Sequence, residues 1–231
     1  MTFNGTRKPF VTVLEKKRPY WAPLNRNIHT TRSGHTRLLN TEKEVLIIPV
    51  TLFIDGNSKE DLLSKAEEVA GWLITKEEEK LTFDDQPNRH FMAALDGGVD
   101  ADEIVSFSRC SIEFSCLYKM GAEHTLPITT SNQTFAITGQ ESTPWTSRTR
   151  FTVPQSSFNL ETSRGGKVIL NYDFIAGDVL EIDYDKRDVR LNGKDLAVSL
   201  AFETVWKELE PGPVQIKASH PTDLSYSERY Y

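Results

Sequence analysis

The residue types that most often carry out chemistry are scattered in this chain. The five histidines are His29, His35, His90, His124 and His220. None belongs to the His-Glu-x-x-His pattern, which places two zinc ligands on one face of a helix. The chain also lacks the Gly-x-Ser-x-Gly turn of a serine hydrolase and a glycine-rich phosphate loop. We therefore predict no catalytic residue, no metal site and no cofactor.

Two acidic groups have a spacing that metal-dependent chemistry could use. Asp100, Asp102 and Glu103 could hold calcium through oxygens, but they lack the ligand spacing and the glycine of a helix-loop-helix calcium loop. We interpret them as a solvated loop. Asp183 and Asp185 form an Asp-x-Asp pattern, as in metal-dependent glycosyl transfer. They end an alternating strand and enter a turn, so we interpret them as turn carboxylates.

Two tryptophans in the second half, Trp145 and Trp206, are candidates for stacking against a sugar ring. A tryptophan within a β-sandwich more often belongs to the core. Carbohydrate binding through these residues is therefore an alternative to a structural role.

Composition and charge narrow the class of protein. Of the 231 residues, 38% are apolar, which is enough for a hydrophobic core in one or two domains. The formal net charge of −6 disfavours nucleic-acid recognition. No run of about 18 apolar residues predicts a membrane span, and no apolar signal stretch opens the chain, so we expect it to stay in the cytoplasm.

The two cysteines, Cys110 and Cys116, lie six residues apart in a stretch that predicts a strand. In an extended chain they would be about 20 Å apart. A disulfide tolerates only about 7 Å between Cα atoms. We therefore expect both to be reduced packing residues.

Charge is distributed unevenly along the chain. Residues 1–40 hold eight basic residues and one acid, a net charge of +7, and the remaining residues carry −13. A solvated basic face, or ion pairs with the acidic body, explains this distribution. The alternative is a contact between the basic edge of one copy and the acidic flank of the next, and such head-to-tail contacts can close into rings.

The first half predicts strands, one helix and a hairpin. Residues 45–54 are the strongest strand signal, and residues 58–74 predict a helix that begins at a Ser58 cap with Asp61 in a capping box. Ser33-Gly34 predicts the tip of a polar hairpin. We expect an aromatic stretch before it, residues 18–24, to form an edge or a packed loop, and residues 96–103 to form a loop.

The second half predicts short strands between turns, which is typical of a β-sandwich. Strands are expected at residues 134–138, 150–153, 158–160, 168–174, 179–184, 189–191 and 214–217. Asn192-Gly193 predicts a type I′ hairpin turn. We expect the aromatic C-terminal residues 224–231 to be docked, as a strand or on a neighbour. A domain boundary is expected near residues 121–127.

The order of these features resembles the distal tail (Dit) proteins of siphophages. The resemblance rests on many weak matches in sequence: Phe3-Asn4-Gly5, residues 18–21, the helix with Trp72-Leu73, residues 81–85, residues 177–183, residues 189–193, and Trp206 with Leu209, Pro211 and Gly212.

The resemblance implies a mainly β (α+β) fold in two domains. Residues 1–123 would form an N-terminal ring-forming domain with a sandwich-like or split-barrel-like fold, one helix and an extended hairpin. Residues 124–231 would form a galectin-like β-sandwich. The protein would be a non-enzymatic homo-hexamer at the virion tail tip, assembled in the host cytoplasm. Its partners would be the tail tube protein, the tape-measure protein, the tail-associated hub protein and receptor-binding proteins.

The hairpin provides the candidate ring contact, because a polar hairpin buries little of itself and can lie on the next copy. The residues assigned to this contact are Arg26, Arg32, Ser33, Gly34, His35, Arg37 and Leu38. Two other functions remain open: a carbohydrate-binding module of a tail or baseplate protein that contacts the host cell wall, and a tail tube subunit. A separate C-terminal sandwich would disfavour the tube subunit.

Overall fold

The computed structural model of the chain describes residues 1–104 and 106–231, apart from the side chains at positions 100 and 102–104. The side chains of Asp100, Asp102 and Glu103, considered above as calcium ligands, therefore lie outside the described residues. The chain divides into two compact units, residues 1–120 with Tyr231 and residues 121–230. The fold is mainly β, as predicted. No helix within the described residues has the length and hydrophobicity that crossing a bilayer requires.

The first unit is built on an antiparallel sheet. Its strands are β1 (Thr2–Phe3), β2 (Val11–Lys16), β3 (Leu24–Thr30), β4 (Thr36–Lys43), β5 (Leu46–Asp55), β6 (Glu79–Thr82), β7 (His90–Ile104) and β8 (Phe107–Ile128). Six of them pair in the order β1-β6-β7-β8-β5-β2. The strand predicted at residues 45–54 is β5. The loop predicted at residues 96–103 is wrong, because this segment pairs with β8 across a bulge.

Helix α1 (Lys59–Leu73) packs on this sheet. Its N-cap is Ser58, whose side chain accepts the backbone N–H of Asp61 at 3.2 Å, as predicted. The capping box differs from the usual form, in which the carboxylate accepts the backbone N–H of the cap residue itself. The Asp61 carboxylate accepts the backbone N–H of Asn57 at 2.7 Å, one residue before the cap. The same carboxylate binds the Lys65 ammonium at 2.9 Å.

The core of the first unit lies between α1 and the sheet. Phe3, Leu52 and Phe114 are completely buried, and the Trp72 indole donates a hydrogen bond to the Phe3 carbonyl at 3.1 Å. Cys110 and Cys116 are buried here as free thiols. Burial raises the pKa of Cys116 to about 12, so it stays protonated and acts as a small apolar residue.

The second unit is a sandwich of two antiparallel sheets. Its strands are β9 (Gln133–Ile137), β10 (Trp145–Arg150), β11 (Gln155–Thr162), β12 (Lys167–Phe174), β13 (Val179–Asp183), β14 (Asp188–Leu191), β15 (Lys194–Asp195), β16 (Gly212–Ala218) and β17 (Thr222–Tyr230), with a short 3₁₀ helix at Ala197–Ser199. Residues 121–128 at the end of β8 also belong to this unit. One sheet has the order β8-β17-β10-β13-β14-β15, and the other β12-β11-β16-β9. Apolar residues from both sheets share one core.

Turn and strand predictions for the second unit are mostly confirmed. Asn192 and Gly193 have φ of +52° and +79°, as a type I′ turn requires. The C-terminal segment forms β17. The strand predicted at residues 150–153 is wrong, because β10 lies earlier in the chain. In β10, small polar residues alternate with basic ones and aliphatic residues are absent, so the sequence pattern did not indicate a strand there.

A buried carboxylate stabilises the second unit. Glu228 is 8% exposed and accepts hydrogen bonds from the Tyr230 hydroxyl at 2.7 Å and the Ala122 backbone N–H at 3.3 Å. His124 lies 3.1 Å from its other oxygen. Burial by itself would raise the pKa of Glu228, but hydrogen bonds from Tyr230, Thr138 and His124 outweigh it and lower the pKa to about 2.

The low pKa of Glu228 predicts how stability depends on pH. Because the native pKa lies below the model value of 4.5, the ionised form stabilises the fold above that value. This stabilisation is lost as pH falls toward about 2. We expect Glu228→Gln to lower the free energy of unfolding by about 2–3 kcal/mol at pH 7, measured by urea denaturation. The difference from wild type should shrink steadily below pH 4.5. A constant difference down to pH 2.5 would contradict this account.

Candidate interaction surfaces

Strands β3 and β4 form an isolated antiparallel pair, which we call the ribbon (residues 24–43). Every residue of both strands is exposed. Among the described residues, no third strand pairs with the ribbon. In sequence it is inserted between β2 and β5, which pair with each other. Both ribbon edges therefore present backbone groups that a neighbouring strand could use.

The tip of the ribbon is held by local hydrogen bonds. The Thr31 N–H donates to the His35 carbonyl at 2.8 Å, and the Gly34 N–H donates to the Thr31 carbonyl at 2.9 Å. Gly34 has φ of +83°, which glycine adopts without the strain that a side chain would cause. The hairpin predicted around Ser33-Gly34 is therefore present as a defined turn.

The two faces of the ribbon differ in character. Residues paired across an antiparallel ribbon point to the same face. Leu24, Arg26 and Ile28 alternate along β3 on one face, and Leu38 is paired with Ile28. A register shift after Asn27 leaves Leu39 as the extra residue of β4. We call the side that presents Leu24, Ile28 and Leu38, with Arg26, Thr41 and Lys43 among them, the apolar face.

The opposite face of the ribbon is entirely polar. It presents three cross-strand pairs: Asn25 with Glu42, Asn27 with Asn40, and His29 with Arg37. The prediction of a polar hairpin was therefore incomplete. The aliphatic residues are separated by polar ones in sequence, and only the register of β3 against β4 collects them on one side.

The predicted contact residues all lie on the ribbon, and all are exposed. Arg26 and Leu38 lie on the apolar face. Arg32, Ser33, Gly34 and His35 form the tip. Arg37 lies on the polar face, paired with His29.

An aromatic pair precedes the ribbon. Tyr20 is 84% exposed and Trp21 is 63% exposed, with ring centroids 6.3 Å apart. This stretch was expected to form an edge or a packed loop; residues 18–23 lie outside the strands, and these two side chains are not packed. Only Ala22 beside them is buried.

The two candidate sugar-stacking residues pack within the second unit rather than on an open surface. Trp145 is 2% exposed, and its ring stacks on Tyr184 with centroids 3.8 Å apart. Its indole N–H donates to the Lys207 carbonyl at 2.9 Å. Trp206 is half-buried and meets the edge of the same tyrosine at 5.4 Å. Both tryptophans therefore belong to the packing of the sandwich.

A polar groove lies on the outer face of the second unit, across β8, β17, β10, β13 and β14, with a volume of about 580 Å³. Its lining includes hydroxyls and paired charges from Thr125, Ser225, Thr146, Arg148, Glu181 and Asp183. The hydroxyls of Thr125 and Ser225 are 3.0 Å apart, and Arg148 meets Glu181 at 3.3 Å. Sequence reasoning missed this groove because its residues come from five strands.

Asp183, which lines this groove, behaves as predicted. An Asp183 carboxylate oxygen accepts the backbone N–H groups of Asp185 and Lys186 at 3.0 and 3.1 Å. It is a turn carboxylate. Within the described part of the chain, His, Cys, Asp and Glu side chains nowhere group in a way that could hold a metal ion.

Comparison with known proteins gives the family. Residues 14–116 match the family model described as phage tail protein RIFT-related domain, and residues 138–230 match the siphovirus-type tail component, C-terminal domain. The chain is 27% identical over 191 residues to the distal tail protein of Bacillus phage SPP1, covering 79% of this chain and 76% of that protein. The chain belongs to the Dit family of siphophage distal tail proteins.

Solved structures of a Dit protein and of a phage baseplate share the fold of this chain. The crystal structure of SPP1 Dit, whose title calls it a paradigm of the hub adsorption apparatus in phages that infect Gram-positive bacteria, matches with a TM-score of 0.84 and 18% identity. The match covers 99% of this chain and 98% of that one. A chain of the phage P2 baseplate in its activated conformation with calcium matches with a TM-score of 0.64 and 10% identity, over 95% and 90% of the two chains. With this family, the protein is a structural component of the siphophage distal tail.

The contrast between a buried and an exposed tryptophan gives a test. Trp145→Ala removes a ring from the sandwich core and should lower the free energy of unfolding by about 3–5 kcal/mol. Trp21→Ala, the matched control, removes an exposed ring and should change it by less than about 0.5 kcal/mol. Urea denaturation of the dilute monomer, followed by circular dichroism, measures both. Equal losses would show that the Trp21 ring is packed.

Proposed function

We propose that six copies of this Dit protein close into a ring at the distal end of the tail, which joins the tail tube to the tip or baseplate and its host-recognition proteins. The ribbon is the observation that carries this proposal. A two-stranded ribbon is at best marginally stable by itself in water. One whose strands are exposed throughout and whose apolar face is uncovered gains stability from a surface supplied by another molecule.

The charges of the ribbon support a contact between copies. It carries four basic residues and one acid. Arg26, Arg32 and Arg37 form no ion pair with any described residue of their own chain. In a head-to-tail ring these arginines would meet the acidic remainder of the next copy. Such complementarity would guide assembly more than it would stabilise the ring.

The proposal assigns a role to each part of the chain. Residues 1–123 form the ring, with the predicted contact at Arg26, the tip residues, Arg37 and Leu38. Residues 124–231 form a galectin-like sandwich on its outside. The partners are the tail tube protein, the tape-measure protein, the tail-associated hub protein and receptor-binding proteins. The ring is assembled in the host cytoplasm and becomes part of the virion tail tip.

Shortening the ribbon tests the ring. Replacing residues 30–37 by an Asn-Gly turn removes the tip and the bulge, so that Ile28 faces Leu39 while Asn27 stays opposite Asn40. We expect the wild-type protein, purified at high concentration, to form a species of six times the 26.2 kDa chain mass. The variant should stay monomeric with an unchanged circular dichroism spectrum. Light scattering after size exclusion, with electron micrographs of the same fractions, measures both.

A matched control keeps this test specific to the ribbon. The tip replacement removes two arginines, and Arg148→Gln with Arg190→Gln removes two exposed arginines from the second unit. The control should form rings as wild type does. Rings formed by the shortened variant would rule out the tip as the contact. A wild-type protein that remains monomeric at all concentrations, alone and with the tail tube protein, would overturn the ring.

The polar groove of the second unit favours a second function, binding of a cell-wall saccharide. Its hydroxyls and charged groups could bond to sugar hydroxyls, although neither Trp145 nor Trp206 offers a stacking platform there. We expect titration calorimetry with cell-wall polysaccharide to give binding that Arg148→Ala weakens at least about tenfold. Lys194→Ala, an exposed change on β15 outside the groove lining, should leave it unchanged. No heat of binding with the wild-type chain would exclude this function.

A further inference from the structure

The first unit contains an apolar groove between α1 and the sheet, with a volume of about 200 Å³. Its lining includes Leu63, Ala66, Ala70 and Ile74 of the helix side, with Leu95 and Cys110 of the sheet. We call this the helix groove. Leu63 is 44% exposed and Ile74 is 66% exposed. The groove is therefore open at the surface, with aliphatic side chains along its rim.

We propose that the helix groove receives the apolar face of the ribbon from the next copy in the ring. This inference rests on the proposed ring and adds the second half of its contact. A head-to-tail contact needs two different surfaces on each copy, and it closes into a ring when the rotation permits. The ribbon is one surface, and the helix groove is the other.

The two surfaces match in size and chemistry. Leu24 and Ile28 lie four residues apart on one strand, which spans about 13 Å. Leu63 and Ile74 lie eleven residues apart along the helix and its last turn, which spans about 16 Å. Apolar cavities of about 150 Å³ accommodate a benzene-sized group. The helix groove therefore has room for one or two aliphatic side chains of the ribbon.

The charges beside the two surfaces are opposite. Residues 59–79, which contain α1 and the turn after it, carry seven acids and three lysines, whereas the ribbon carries an excess of basic residues. Glu60 and Glu67 follow the helix row of Leu63, Ala70 and Ile74, at spacings of three and four residues. Neither glutamate pairs with a cation among the described residues. Arg26 lies between Leu24 and Ile28 on the ribbon, where it could meet one of them.

The ribbon of the same chain does not fill this groove. Ile28, Leu38 and Leu39 are each more than half exposed in the isolated chain, and the groove-rim residues Leu63 and Ile74 are exposed as well. Both apolar surfaces are thus uncovered at once. Joining them between copies removes both from water without unfolding either, which is the favourable term in most association.

Blocking the groove tests the proposal. Leu63→Glu with Ala70→Glu introduces two charges into the rim at exposed helix positions, so the fold should be kept. We expect the concentration needed for half-assembly of rings to rise at least tenfold, measured by sedimentation velocity of the full chain. Ser64→Glu adds a charge to the outward side of the same helix and should leave assembly unchanged.

Exchanging one charge between the ribbon and the helix gives a second test. A loss of structure alone would not be reversed when the two changes are combined. Arg26→Glu should weaken assembly, and Glu67→Arg should weaken it too. The double variant should assemble more readily than either single one. Circular dichroism and urea denaturation confirm that all variants are folded.

The outcomes separate this inference from the ring itself. If wild-type protein forms no ring, both the ring and this contact are overturned. If wild-type protein forms rings and the blocked-groove variant assembles equally well, the ring stands and the helix groove is not its contact. If the blocked-groove variant fails to assemble but Ser64→Glu fails as well, the effect is charge on the helix in general, and the assignment is also overturned.

Discussion

The exposed two-stranded ribbon, which has no third strand among the described residues, is the feature on which the surface properties of this protein depend. Strands β3 and β4 satisfy each other's central hydrogen bonds, but their edges and one apolar face have no partner within the described chain. Burial of apolar surface is the main favourable term in association. A chain that leaves Ile28 and Leu38 in water next to arginines therefore carries a surface suited to another molecule.

The rest of the first unit provides a rigid base for that surface. The paired strands β2 and β5 flank the ribbon in sequence, and α1 is fixed to the sheet by buried residues such as Trp72 and Leu73. The same packing leaves one side of α1 only partly covered. Ribbon and helix groove are thus products of one fold.

The sequence alone predicted the β5 strand, the α1 helix with its Ser58 cap, the Asn192-Gly193 turn and the mainly β class. Each of these depends on local information, such as hydrophobic period, cap residue or turn residue. Its errors have a common cause. Residues 96–103 contain two glycines and several acids, which are typical of a loop, yet pairing with β8 extends them as a strand. Tyr20 and Trp21 are aromatic, yet they lie in water.

The sequence by itself determined which residues this protein has available: a basic N-terminal segment, no catalytic motif, and a hairpin at Ser33-Gly34. Only the tertiary structure decided which of them share a surface. The register of β3 against β4 places Ile28 beside Leu38, and the packing of α1 on the sheet opens the helix groove. The register depends on the turn and the bulge between β3 and β4, and the packing of α1 depends on contacts between residues distant in sequence. The pattern of single residues encodes neither.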